Sequence, residues 1–343
     1  MSTLKDVARL ARVDISTVSR VLSGDPKQVA KEETRERIIA AAKALEYRPN
    51  QVARSLRSQS TSTIGLIAPR LSDFAFTTML DGIENAALKA GKGLLVVGWD
   101  FRGSNSDSKR EILLHLLNDG IVDGVLIAFA TIGDEFAPIL LSSKVPIVIV
   151  NRKSKLIGAS VTVKDGEAVK TAVEHLTSLG HSRIGYIGLK AGTTTVADRL
   201  EGFYSGMKTM GLEVREEWMA SGPYPDPDSG NTPLASIIDS SKRIGLPTAL
   251  IVASVRSAPQ VISEMSERGI KVPLDMSVIG IGDTEFAKIT SPKLTTVWLP
   301  FEKMGQKSVE MLINAVEGKE LIDFKLPDSP RIVLRDSTGA PRQ

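Results

Sequence analysis

The sequence predicts an α/β protein with a small three-helix head, a short hinge, and a larger core of two lobes on doubly wound parallel sheets. Three observations predict it. Residues 3–45 read as three successive short helices. From Thr61 onward, short β-branched apolar runs alternate with amphipathic helices, the pattern of parallel sheets covered on both faces. The 343 residues also exceed the ~250–300 at which a single core stops growing, leaving room for a head and two lobes.

The first helix starts at Thr3-Leu4-Lys5-Asp6, a Thr-x-x-acid capping box that satisfies free backbone N–H groups. Leu4, Val7, Ala8 and Ala11 then recur at helical spacing. Arg12-Val13-Asp14 makes a short turn, and Asp14 caps a second helix from Ile15 to Leu22. Val18, Val21 and Leu22 cluster on one side of it, while Ser16, Ser19 and Arg20 face the other and Ile15 stands at the N-terminal edge. A helix-turn-helix of this kind, small polar groups plus one Arg outward, suits insertion into the major groove of DNA. A third helix, about Lys31 to Leu45, is expected to close the core with Ile38, Ile39, Ala42 and Leu45.

Charge agrees. Residues 1–60 hold twelve Lys or Arg against seven Asp or Glu, while the whole chain is only +3. A basic head on a slightly acidic body fits a phosphate-binding module joined to a solvated sensor.

Pro49 stops the third helix, and Asn50 caps a further helix of about two turns through Arg57. So short a helix is marginal alone in water, and its Val52 and Leu56 need a partner. A polar linker, Ser58 to Thr63, follows.

The residues Leu4-Lys5-Asp6-Val7-Ala8, Thr17-Val18-Ser19-Arg20-Val21-Leu22, Glu33-Thr34-Arg35-Glu36-Arg37-Ile38 and Tyr47-Arg48-Pro49-Asn50 through Ala53-Arg54-Ser55-Leu56 make the chain resemble the lactose-repressor/galactose-repressor (LacI/GalR) family. The similarity continues to Arg335-Asp336-Ser337-Thr338 and covers essentially the whole chain. The resemblance implies a dimeric bacterial transcription regulator whose hinge becomes helical on operator DNA. Leu56 would wedge into the minor groove there, a device that kinks the duplex. Ile15, Ser16 and Arg20 fall on the family's base-reading positions, and Arg20 could make a bidentate contact to guanine. Thr3, Thr17, Ser19 and Asn50 match backbone-holding positions, and Ala53 and Arg54 complete the expected DNA-binding set. Asp14 stands where the family usually has Ser.

For the core, the resemblance implies the fold of periplasmic sugar-binding proteins, with three crossings between lobes near Ala159, Pro292 and Phe324. The expected layout is a head at 1–48, hinge and linker at 49–60, a head-proximal dimerising lobe at 61–158 with 293–323, and a distal lobe at 159–292 with 324–343. Strands are predicted at Ile64–Pro69, Gly93–Gly98, Gly124–Ala128, Pro146–Asn151, Arg183–Gly188, Ala249–Ala253 and Val278–Gly282. Helices Phe76–Ala90 and Lys109–Asn118 are the expected dimer surface. Ligands of open α/β sheets bind at the carboxyl ends of strands, so the cleft between lobes is the expected effector site.

Asp198-Arg199-Leu200-Glu201-Gly202-Phe203 matches the family's Arg-x-x-Gly-aromatic motif, whose arginine binds the effector. Phe76 matches an aromatic lining the cleft, and Tyr224 falls near a second one that stacks on the ligand. Four pocket motifs depart from the family: Asp73-Phe74-Ala75-Phe76, Val163-Lys164-Asp165, Ser254-Val255 and Gly280-Ile281-Gly282-Asp283. The expected effector contacts are therefore Asp73, Phe76, Lys164, Arg199, Tyr224, Ser254 and Asp283. With fewer acceptors for a neutral pyranose, the expected effector is another sugar or polyol, a sugar acid or a sugar phosphate, its negative group meeting Arg199 and Lys164.

Other classes find little support. Gly280-Ile281-Gly282 has Glu285 at the sixth position, so the dinucleotide fingerprint is absent. His115, His175 and His181 are scattered without metal-ligand spacing, and cysteine is absent. No apolar run approaches ~18 residues, so a cytoplasmic protein is expected, bound to the nucleoid through DNA and needing neither membrane nor cofactor. The expected function is a ligand-responsive repressor of carbohydrate or polyol genes. The alternatives are a global carbon regulator of this fold controlled by a partner protein and a DNA-tethered sugar-processing enzyme.

Overall fold

The computed structural model describes residues 2–23, 30–47, 60–68, 76–99, 106–128, 136–154, 159–189, 192–222 and 232–342. The chain forms two compact units, residues 1–61 and 62–343. Asn50, Ala53, Arg54, Leu56 and the expected hinge helix lie outside the described residues, as do Asp73 and Tyr224.

In the first unit, α1 (Leu4–Ala11), α2 (Ile15–Ser23) and α3 (Glu32–Ala44) surround one small core. The Thr3 hydroxyl and backbone N–H donate to Asp6 Oδ2 at 2.7 and 2.9 Å, completing the capping box. Arg12 ends α1 in the left-handed region at φ 54°, turning the chain within three residues. Val7, Ala8, Ala11, Val18, Ile38, Ala41 and Ala42 are buried together, with Leu45 packed against them. Ile39 is the correction: it is 50% exposed. At 100° per residue it turns away from the stripe that Ile38, Ala41, Ala42 and Leu45 make at i, i+3, i+4 and i+7.

The second unit contains two six-stranded sheets. The first uses β1 (Thr63–Ala68), β2 (Gly93–Gly98), β3 (Gly124–Ala128), β4 (Ile147–Val150), β5 (Ala159–Thr162) and β11 (Phe324–Lys325), in the order β11-β5-β4-β3-β1-β2, all parallel. The second uses β6 (Ile184–Gly188), β7 (Met219–Ser221), β8 (Ala249–Val252), β9 (Ser277–Ile281), β10 (Thr295–Trp298) and β12 (Arg331–Val333), in the order β12-β10-β9-β8-β6-β7. Only β12, against β10, runs antiparallel. The central strands β3, β4, β8 and β9 are buried throughout, as parallel strands covered on both faces must be.

Around these sheets lie α4 (Thr77–Lys89), α5 (Ser106–Asn118), α6 (Ala137–Leu141), α7 (Asp165–Ser178), α8 (Thr194–Thr209), α9 (Pro233–Ser240), α10 (Ala258–Glu267) and α11 (Phe301–Val316). The described strands change sheet after Thr162, Trp298 and Lys325, a few residues past Ala159, Pro292 and Phe324. The difference arises because β5 and β10 mix Ser and Thr with their apolar residues and β11 is only two residues long. Their pairing depends on neighbouring strands rather than on a run of apolar residues.

Two glycine contacts set the helix spacing in the lobes. A Cβ on Gly82 of α4 would lie 2.0 Å from Glu302 O of α11. A Cβ on Gly202 of α8 would lie 2.2 Å from Gly166 O of α7. The second approach positions the site described next.

Candidate functional site

On the head, α2 presents an outward face. Ile15 is 39% exposed, Ser16 and Arg20 are exposed, and Thr17 and Ser19 are half-buried. Val18 is fully buried on the other side and anchors the helix. Asp14 Oδ1 accepts the Ser16 backbone N–H at 2.7 Å. Hydrogen bonds from the Ser16 side chain and backbone hold its carboxyl below the usual carboxylate range, so it keeps a negative charge at this face. Thr3 is exposed at the start of α1.

In the larger unit, the Gly166–Gly202 approach brings the start of α7 against the middle of α8. Asp165 and Arg199, each near one of these glycines, then meet as a buried pair. Arg199 Nε donates to Asp165 Oδ1 at 2.7 Å, Nη2 lies 2.6 Å from the same oxygen, and Nη1 donates to Ala253 O at the end of β8. Burial pushes the Asp165 carboxyl up, and the Arg199 guanidinium opposes that shift. Arg199 is therefore well placed, but its charge is already matched from within. Lys164 is matched too, its Nζ 3.4 Å from Glu167 Oε2. Each of the two cations expected to meet a negative ligand group thus already faces a carboxylate of the chain.

The remaining expected contacts take different places. Asp283 follows β9 and faces Arg335, 2.9 Å from Nη1, while accepting the Thr296 hydroxyl at 2.7 Å. That carboxylate ties the loop after β9 to the segment after β12. Ser254 Oγ accepts the Arg256 N–H at 3.2 Å just past β8. Phe76 is 2% exposed and packs in the apolar cluster containing Met79, Leu126 and Ala128.

Six residues that the sequence did not single out as contacts join this region. Tyr186 on β6 is 2% exposed, its ring 5.0 Å from that of Phe203. Burial pushes its phenol up to about 12, and its hydroxyl has no hydrogen-bond partner among the described residues. Asn151 and Arg152 follow β4, and the Asn151 carbonyl accepts the buried Thr195 hydroxyl from the first turn of α8. Lys153 N also donates to Thr194 Oγ1 at 2.9 Å, so the end of β4 is fastened to the start of α8. The unusual φ of 67° at Asn151 belongs to this turn, but no sequence pattern announced it.

Among the described residues, no group of three or more His, Cys, Asp or Glu could hold a metal, and no helix is long and apolar enough to cross a membrane. His181 is a structural hub. Its Nε2 lies 2.8 Å from Gly339 O and its Nδ1 2.9 Å from Thr248 Oγ1, pinning the C-terminal segment to the second sheet.

Residues 3–50 match the family described as bacterial regulatory proteins, lacI family, and residues 173–338 match a periplasmic binding protein-like domain. Catabolite control protein A of Priestia megaterium is 32% identical over 342 residues, covering 98% of this chain and 99% of that protein. The HTH-type transcriptional repressor PurR of Vibrio cholerae is 31% identical over 339 residues, covering 98% of each. Among solved structures, the lac repressor dimer bound to operator and the anti-inducer ONPF superposes with a TM-score of 0.82 at 25% identity, covering 99% of both chains.

Proposed function

Because the chain belongs to the LacI family of bacterial regulatory proteins, and is a ligand-responsive DNA-binding transcription regulator, we propose that it represses carbohydrate or polyol genes as a dimer on a pseudo-palindromic operator. The observation that carries the reading is the outward face of α2. Ile15, Ser16 and Arg20 stand on a helix whose other side is fixed by buried Val18. A helix so held can enter the major groove without distortion, Arg20 reading a guanine and Ile15 offering apolar contact to a thymine methyl. Thr3, Thr17 and Ser19 hold the backbone and set register, and Asn50, Ala53, Arg54 and Leu56 supply the hinge contacts.

Dimer contacts are assigned to α4 and α5. Leu88 on α4 is 74% exposed, and Ile112 and Leu114 on α5 are 42% and 38% exposed, apolar area that a second copy would cover. The effector sits past the carboxyl ends of β4, β6 and β8, where the two lobes meet through Asn151 and Thr195. Effector binding biases how the lobes meet and so whether paired hinges can form, which couples ligand and DNA reciprocally. The relatives named above are transcription regulators, and the function assigned to the cleft is binding rather than catalysis.

The test is selection of genomic fragments by the purified protein at moderate salt, followed by footprinting. A two-fold symmetric protected site supports the reading, whereas enrichment of no fragment, with or without pooled sugars, sinks it. The 32% identity to Catabolite control protein A favours a second reading, a broader control of catabolism, for which the alternative signal is a partner protein in place of a small effector. Operator affinity that rises only with a protein fraction, and with no small molecule, would select it.

A further inference from the structure

Five buried polar atoms lack a hydrogen-bond partner among the described residues, and two belong to consecutive side chains, Asn151 Oδ1 and Arg152 Nε. Both residues follow β4 directly, at the carboxyl end of a buried strand, where open parallel sheets bind their ligands. The turn they form is clamped to α8 by the Thr195 and Thr194 hydroxyls, and Arg199 lies one turn further along that helix.

The cations of this region differ in one respect. Arg199 is matched by Asp165, Lys164 by Glu167, and Lys153 by Asp323 at 3.8 Å. Arg152 has no ion pair with a described residue. Burial lowers its guanidinium, and no carboxylate among the described residues offsets the effect. Asn151 is 4% exposed with an unused acceptor beside it. A desolvated cation without a counter-ion costs stability, a cost natural proteins retain where a ligand supplies the missing charge.

We propose that Arg152 and Asn151 form the anion-recognising end of the effector site, and that the effector is a small polyol carrying a phosphate or a carboxylate. The inference rests on the regulator reading above. The guanidinium fork takes two oxygens of the anionic group, and Asn151 Oδ1 accepts a hydroxyl of the same molecule. Arg199, already neutralised, is left to donate to uncharged oxygens. Specificity for the charged group thus lies on the first lobe, at the end of β4.

The experiment compares three probe classes on the full-length protein: neutral hexoses, hexose 6-phosphates and hexonates. Binding is followed by titration calorimetry and by release of a selected operator fragment. The expected result is that a phosphate or a carboxylate probe binds at least ~10-fold more tightly than its neutral counterpart. Arg152→Gln then removes that preference, a loss of about 10- to 100-fold for the anion alone. Arg152→Lys keeps the charge without the fork and falls between the two. The ligand-free melting temperature of Arg152→Gln, expected at or above that of the parent, shows that the variant is folded. Which anionic class binds separates phosphate from carboxylate. A neutral hexose binding as tightly as its anionic counterparts, anion affinity unchanged in Arg152→Gln, or no response to any anionic probe at millimolar concentration each overturns the proposal. Failure of the parent protein to bind any operator fragment overturns the regulator reading instead.

Discussion

Arg199 and Asp165 form a buried ion pair, Nη2 to Oδ1 at 2.6 Å, that exists because Gly202 and Gly166 let two helices touch through their backbones. Their side chains are 6% and 3% exposed, so neither charge has water to fall back on. Removing one partner leaves the other desolvated and alone. We predict that Asp165→Ala destabilises the core by about 3–5 kcal/mol, while Asp165→Leu combined with Arg199→Met restores most of the loss. Urea unfolding of the single and double variants checks this. Equal losses in both would mean that the pair's charges are not what the site depends on.

The helix contact itself is testable. Gly202→Ala places a methyl 2.2 Å from a backbone oxygen that cannot rotate away, and is expected to cost about 3 kcal/mol, the upper end for overpacking. Gly98→Ala, at an exposed position with nothing within 4 Å of the added carbon, should stay within about 0.5 kcal/mol of the parent. Thermal unfolding of both variants distinguishes close packing from a general effect of glycine replacement.

Histidine burial sets a pH dependence. Burial holds His181 below the ordinary value of 6.5, and burial with its neighbour His181 does the same to His175. The unfolded chain therefore takes up protons more readily than the folded one. Stability should be level above about pH 7 and fall as pH drops below 6.5 toward the folded values. A urea midpoint that stays constant from pH 7.5 to 5.5 would show that these rings do not control the acid limb. Because the two rings contact Thr338 and Gly339, the C-terminal segment should lose hydrogen-exchange protection first.

On DNA, Arg20→Ala should weaken the selected operator by about 1–3 kcal/mol and relax the preference at one base pair, with little effect on random duplex. Anisotropy titrations at matched salt against operator and random duplex measure this. A uniform loss on both would make Arg20 a phosphate contact.

Much of the head was legible because its signals are local. Thr3 with Asp6, Asp14 with Ser16, and the apolar spacing around Val18 are relations within four residues, and the structure forms them as the pattern implies. Ile39 was misplaced for the same local reason, since a stripe around α3 can be drawn one residue too wide. In the core, the predicted strands that became β1, β3, β4, β6, β8 and β9 are buried apolar runs, and β2 is an apolar run left half-exposed at the sheet edge. The short strands β5, β7, β11 and β12 carried no such signal, because partner strands make them.

The sequence by itself determined the class, a helical DNA-reading head on an alternating α/β core, since capping, turn chemistry and hydrophobic period act over a few residues. Only the tertiary structure decided which charges are paired. That Asp165 neutralises Arg199 from 34 positions away, that Asp283 is held by Arg335 from 52 away, and that Arg152 Nε has no hydrogen-bond partner among the described residues follow from the docking of helices and strand ends. Electrostatic partnership depends on distances of a few ångströms in a poorly solvated interior, and no spacing along the chain encodes them.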